Sequence, residues 1–233
     1  KMTSILLKNI NCNGILSDIY IEGSRIKRIM PVGSAGHEGE SRIASGVEVM
    51  DCEGKTAMPG LINMHTHAAM SRMGGTEEDG VFSDCIQKIW EMEKSIDEEF
   101  VYWGTKVACL EMIKSGTTSF MDMYFHFGAI AEATQEMGLR ALLCGACLDQ
   151  FNPELTERCK QSNEKLLTQV GRYGSRVQMA LGPHAIYTVS GALLQWCDAF
   201  AKEYDPLIHL HLAETEGEVA DSIRRFGLSP VRY

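Results

Sequence analysis

Pro59-Gly60-Leu61-Ile62-Asn63-Met64-His65-Thr66-His67 is the stretch that decides the fold. A Pro-Gly pair opens it, a short apolar run follows, and two histidines close it, as in a buried strand that ends in chemistry. On a strand, residues i and i+2 point the same way, so both imidazoles face one point. Downstream the rhythm repeats. Apolar runs at 118–123, 141–143, 177–181 and 207–212 alternate with helical stretches at 82–93, 97–115, 128–137, 154–173, 190–203 and 216–226. Continuous apolar strands between helices form a parallel sheet covered by helices. An eight-fold barrel takes about 250 residues, roughly 30 per strand–helix unit, so 59–233 has room for five units and part of a sixth. The first strand–helix turn lacks the Gly-x-Gly-x-x-Gly cradle of a dinucleotide-binding open sheet, and there is no Walker-type lysine loop. The expected fold is therefore α/β: a partial (β/α)8 TIM-type barrel of five to six units. Its strands should lie parallel and in sequential order.

Ahead of Pro59 the pattern is different. Residues 5–7, 18–21, 25–29 and 47–50 are short runs of strand formers, punctuated by Gly14 and Gly23-Ser24, with a polar loop at 33–46. They read as a small antiparallel unit, the N-terminal part of a β-sandwich. The expected organisation is thus a composite sandwich portion over 1–58 and a hydrolase-type barrel over 59–233 that stops before strands six to eight.

Composition narrows the partners. The 233 residues are 45% hydrophobic and 23% charged, with 22 Lys+Arg against 31 Asp+Glu and a net charge of −9. These are globular values, and they hold no basic footprint for nucleic acid or anionic lipid. No apolar run approaches the 18 residues that span a bilayer, and no basic start with an apolar core and cleavage site is present, so the expected compartment is the cytoplasm. The eight cysteines are scattered and mostly in apolar contexts, which fits reduced, buried thiols. The Cys-x-x-Cys from Cys144 to Cys147 has no second pair at zinc-knuckle spacing.

Three histidine segments carry the chemistry. His65 and His67, converging at a strand's C-terminal end, suit a divalent metal, although a pair of satisfied polar residues has the same pattern. Ile208-His209-Leu210-His211-Leu212-Ala213-Glu214-Thr215 repeats the alternation and adds a carboxylate three residues after the second histidine. That carboxylate sits where strand becomes loop, within reach of a metal-bound water. The spacing favours His211 as the ligand and leaves His209 as a hydrogen-bonded interior residue. Leu181-Gly182-Pro183-His184-Ala185 ends the fourth strand with a histidine suited to contacting substrate. His126 lies in an aromatic-flanked loop and stays ambiguous; His37 falls in the polar loop and reads as solvent-exposed.

Taken with Ser115-Gly116-Thr117-Thr118, these segments resemble the amidohydrolase superfamily. Within it they are most similar to the chlorohydrolase/deaminase branch that includes S-adenosylhomocysteine and methylthioadenosine deaminases. The resemblance implies one divalent metal, zinc or iron, at the C-terminal barrel face. It makes His65, His67 and His211 metal ligands, Glu214 the proton shuttle, Glu93 a ribose-contacting acid and His184 a substrate-binding histidine. It further implies a small-molecule substrate of purine-nucleoside or other amino-heteroaromatic type, deaminated hydrolytically through metal-activated water. Dechlorination of a triazine-like ring is the same attack with another leaving group. A non-catalytic metal-binding or oligomerisation module is the alternative from a different class.

Three departures stand out. The family's sixth-strand histidine and eighth-strand aspartate, the latter a further ligand, have no counterpart in 1–233. Ser71-Arg72-Met73-Gly74-Gly75 replaces the usual Arg-Gly, and Cys144-Gly145-Ala146-Cys147 occupies the stretch where an arginine is expected. The sequence thus predicts a half-site with metal weak or absent, no deaminase activity from these residues alone, and a homo-oligomer formed through exposed strand edges.

Overall fold

The computed structural model describes residues 4–34, 46–75 and 82–233, with side chains from residue 86 onward in the last stretch. His37 lies outside them. The chain divides into two compact units, Lys1–Pro59 and Gly60–Tyr233.

The first unit is one five-stranded sheet. β1 (Ser4–Cys12) pairs antiparallel with β2 (Ile15–Glu22), and β2 with β3 (Arg25–Pro31). β4 (Val47–Asp51) and β5 (Thr56–Ala57) instead run parallel to β1. The unit is therefore mixed rather than antiparallel. Parallel pairing needs a connection of a dozen residues or more, and residues 13–46, with β2 and β3 among them, connect β1 to β4. Leu6, Ile10, Ile19 and Cys52 are its buried apolar side chains among the described residues, while Ile26, Ile29 and Val49 are exposed.

The second unit holds a parallel sheet in the order β6 (Leu61–Thr66), β7 (Thr117–Asp122), β8 (Arg140–Cys147) and β9 (Val177–Pro183). A doubly wound sheet reverses its strand order at a switch point; this one does not, which is the ordering of a barrel. Helices α2 (Glu98–Ser115), α3 (Phe127–Met137), α4 (Pro153–Gln169) and α5 (Gly191–Tyr204) follow or separate the strands, α1 (Phe82–Glu93) precedes α2, and α6 (Glu216–Phe226) closes the order. Several begin at a side-chain cap: Asp97 for α2, Asn152 for α4, Ser190 for α5 and Thr215 for α6. Val101, Phe120, Ile130 and Leu143 fill the core between the sheet and α2–α3, and Leu181, Val189, Leu193 and Phe200 the core under α5.

The fifth expected strand is not a full strand. Residues 207–212 meet β9 only through an isolated parallel bridge, Leu181 to Ile208. Leu181 N–H donates to Leu207 O at 2.8 Å and His209 N–H to Leu181 O at 2.9 Å. The next rung would need an N–H from Pro183, which has none, and the ladder breaks there. The chain resumes one residue on, with His211 N–H donating to His184 O at 2.9 Å.

Candidate metal centre and cavity

The two histidines of the opening stretch project from the C-terminal end of β6, their ring centroids 4.9 Å apart. Across the cavity, the segment after the broken ladder delivers His211, 4.9 Å from His65 and 5.4 Å from His67. One ring nitrogen from each of His65, His67 and His211 lies within 4.8 Å of the others. Each ring is oriented by a contact at its other nitrogen. His67 Nδ1–H donates to Met123 O at 2.6 Å and His211 Nδ1–H to His184 O at 2.9 Å. A carbonyl only accepts, so both Nδ1 atoms carry the proton and both Nε2 lone pairs are free. His65 Nδ1 shares a proton with His209 Nε2 at 2.7 Å, which makes His209 a partner of a cluster histidine.

Burial, reinforced by the neighbouring imidazoles, lowers the pKa of His65, and burial does the same for His67 against the opposing Met123 carbonyl. Neutral imidazole is the form that binds a metal. The convergent imidazole nitrogens therefore fit a divalent cation, and by donor type a borderline-soft one such as zinc.

A cavity of about 340 Å³ opens on the cluster. All six residues singled out in the sequence line it: His65, His67, His184, His211, Glu93 and Glu214. That volume suits a small organic ligand. His184 is pushed down to about 4 by burial and the nearby imidazoles, and its Nδ1 contacts Thr188 Oγ1 at 2.8 Å. Burial holds the Glu93 carboxyl above its ordinary range, an effect that the neighbouring Tyr124 hydroxyl partly offsets. His126 stays apart from the cluster: it starts α3 in the left-handed region at φ 58°, 3.9 Å from Glu98 Oε1.

Sequence reasoning missed several neighbours. Tyr124 is buried and its hydroxyl has no hydrogen bond of regular geometry among the described residues. Asp122 ends β7, accepts Ala68 N–H at 2.6 Å and so pins the residue after His67. Arg158, on α4, lines a larger adjoining cavity that shares Trp90, Glu93, Phe125 and Leu148 with the first. Asp122 and Tyr124 fall at a barrel strand's C-terminal end, a position that itself signals function. Arg158 carries no local signal, because only packing brings α4 to the cavity.

A sequence profile described as the amidohydrolase family matches residues 56–232. A 5'-deoxyadenosine deaminase from Methanoregula boonei is 42% identical over 97% of this chain and 51% of its own length. The 5-methylthioadenosine/S-adenosylhomocysteine deaminase 1 of Archaeoglobus fulgidus is 41% identical over 96% of this chain and 51% of its own. Among solved structures, a zinc-bound adenosine deaminase from Xanthomonas campestris superposes with a TM-score of 0.76 at 26% identity, covering 99% of this chain and 54% of that one. A zinc-complexed atrazine chlorohydrolase from Arthrobacter aurescens reaches 0.81 at 20% identity over 98% and 57%, a likeness of fold alone. The chain spans about half the length of the curated relatives it matches.

Proposed function

Because the chain belongs to the amidohydrolase family, we propose that its second unit is the metal-holding half of a hydrolytic deaminase acting on purine nucleosides of the 5'-deoxyadenosine or methylthioadenosine kind. The observation that carries this reading is the convergence of the His65, His67 and His211 nitrogens on a cavity that Glu214 also lines. The names of its relatives supply the substrate class.

His65, His67 and His211 would hold the ion, zinc by donor type. A zinc ion bound there supplies Lewis acidity that brings the pKa of a bound water to ~7. The protein's own groups do the rest. Glu214 takes a proton from the attacking water and returns it to the departing amino nitrogen. His184, neutral and oriented by Thr188, faces the base from the cavity wall. Trp90 and Tyr124 give the base apolar walls, and Glu93 accepts from the sugar hydroxyls. Arg158, in the adjoining cavity, faces whatever the 5' position carries and suits an anionic group.

The carboxylate ligand that the resemblance puts on an eighth strand is not within 1–233. We expect these residues alone to bind zinc weakly, His67→Ala and His211→Ala to abolish what binding there is, and ammonia release to be absent. Equilibrium dialysis with elemental analysis checks the first two. Assays on 5'-deoxyadenosine and on a chlorotriazine of the holoenzyme, the zinc-loaded deaminase of which these residues form half, check the reaction: ammonia from the nucleoside supports the reading, and chloride alone overturns it in favour of a dechlorinase. Zinc binding that survives both histidine substitutions overturns the ligand assignment.

A further inference from the structure

We propose that Glu218 is a positioning residue for Glu214, holding the backbone turn that carries Glu214 to the histidine cluster. The proposal rests on the reading of Glu214 as the proton carrier, and its structural part stands on contacts of its own. Two residues after His211 the backbone of Ala213 enters the left-handed region, at φ 56°. A residue with a Cβ adopts that conformation at a cost, and it persists where the surroundings enforce it.

The enforcing group is the Glu218 carboxylate. Its Oε1 accepts the Ala213 N–H at 3.2 Å, and its Oε2 accepts the Glu214 N–H at 2.7 Å. Glu218 is only 6% exposed, so these amides are its substitute for water. The local sequence is Thr215-Glu216-Gly217-Glu218, with Thr215 Oγ1 accepting the Glu218 N–H at 3.0 Å to cap α6. This has the spacing of a capping box, in which the acid ordinarily reaches back to the N–H of the capping residue. Here the acid reaches past Thr215 to the two residues before it. Helix capping is thus left to Thr215, and the carboxylate is committed to the turn between His211 and α6. Both of its oxygens are occupied, so glutamine, with a single acceptor oxygen, leaves one of the two amides unpaired.

The division of labour makes the two roles separable. By amide exchange on the chain, Glu218→Gln should speed exchange at Ala213 and Glu214 about 10-fold, whereas Thr215→Ala should leave those amides protected and speed Glu218 itself. In the zinc-loaded holoenzyme, Glu218→Gln should lower kcat for ammonia release about 10- to 100-fold with KM within about twofold and zinc content unchanged. Glu218→Asp, which keeps both acceptor oxygens, should recover part of the loss. Thr215→Ala should leave kcat within about threefold at a comparable loss of melting temperature. Unchanged exchange at 213 and 214 in Glu218→Gln overturns the proposal, as does an equal kcat loss in Thr215→Ala. Full turnover in Glu214→Gln overturns the reading of Glu214 instead, and the exchange data tell the two failures apart.

Discussion

Asp122 shows how much of the site rests on one side chain behind it. One carboxylate oxygen takes the Ala68 N–H, the other has no partner among the described residues, and burial pushes the group up to about 7. Its ordinary value is near 3.8, so between the two the folded state binds more protons than the unfolded one. Stability then falls as pH rises through that window, the reverse of the usual surface carboxylate. We expect the urea midpoint of metal-free protein to drop from pH 5 to pH 8 and Asp122→Asn to flatten the slope, with a ceiling on the order of 3 kcal/mol. A midpoint that rises with pH to the same extent in both proteins would sink this account. Tyr124 gives a complementary case. Its buried hydroxyl makes no hydrogen bond of regular geometry among the described residues and leans on the Glu93 carboxyl, so Tyr124→Phe should change the melting temperature little. Nucleoside affinity by calorimetry should fall by contrast if the hydroxyl meets the ligand. Neither residue was legible in the sequence, since an aspartate and a tyrosine at a strand end have no period and no partner nearby in the chain. His65, His67 and His211 were legible because the two-residue alternation of a strand puts each pair on one face. Glu93 came into view by resemblance alone.

Among the elements, what was readable was local. The pattern placed helices at 97–115, 154–173, 190–203 and 216–226, and in the structure Asp97, Asn152, Ser190 and Thr215 fix their starts, because a cap satisfies amides within three residues of itself. Strand pairing is decided by partners far away in sequence, and there the reading slipped twice. β4 and β5 return parallel to β1, and residues 207–212 lose their ladder where Pro183 offers no N–H. Close helix packing was equally hidden. A Cβ on Gly104 of α2 would lie 2.4 Å from the Ala69 carbonyl oxygen, in the short turn Ala68–Met73 that follows His67. Since that atom is backbone, Gly104→Ala must push the turn away, at about 1 to 3 kcal/mol. Gly116 differs: it ends α2 at φ 83° with open space around the missing Cβ, so Gly116→Ala should cost only about 1 kcal/mol of backbone strain. The expected outcome is that both lower the melting temperature, while Gly104→Ala alone weakens zinc binding in a competition titration. Equal zinc affinity in the two variants would detach the turn from the metal site.

At the scale of the second unit, the position of the three histidines has a thermodynamic consequence. His65 stands on β6 and His67 directly after it, at one end of the strand order, and His211 lies in the segment bridged to β9 at the other. The sheet's hydrogen bonds join these ends only through β7 and β8. Both ends also present apolar side chains to solvent, with Ile62 64% and Leu207 62% exposed. Unpaired edges with apolar surface favour association, so light scattering should show concentration-dependent oligomers that Ile62→Lys reduces. Zinc acts on the same two ends by a different route. An ion held by all three histidines binds only when β6 and the 207–212 segment are correctly placed, so it stabilises the folded state by mass action. At 100-fold excess over its dissociation constant the gain is about 2.7 kcal/mol, which for a domain of this size raises the melting temperature by roughly 5 to 10 °C. His211→Ala should remove most of that rise by taking away the ligand that spans the sheet, and His209→Ala should keep more of it. If zinc raises the melting temperature of His211→Ala and the unsubstituted protein equally, the ion is bound at one end only and does not tie the two together.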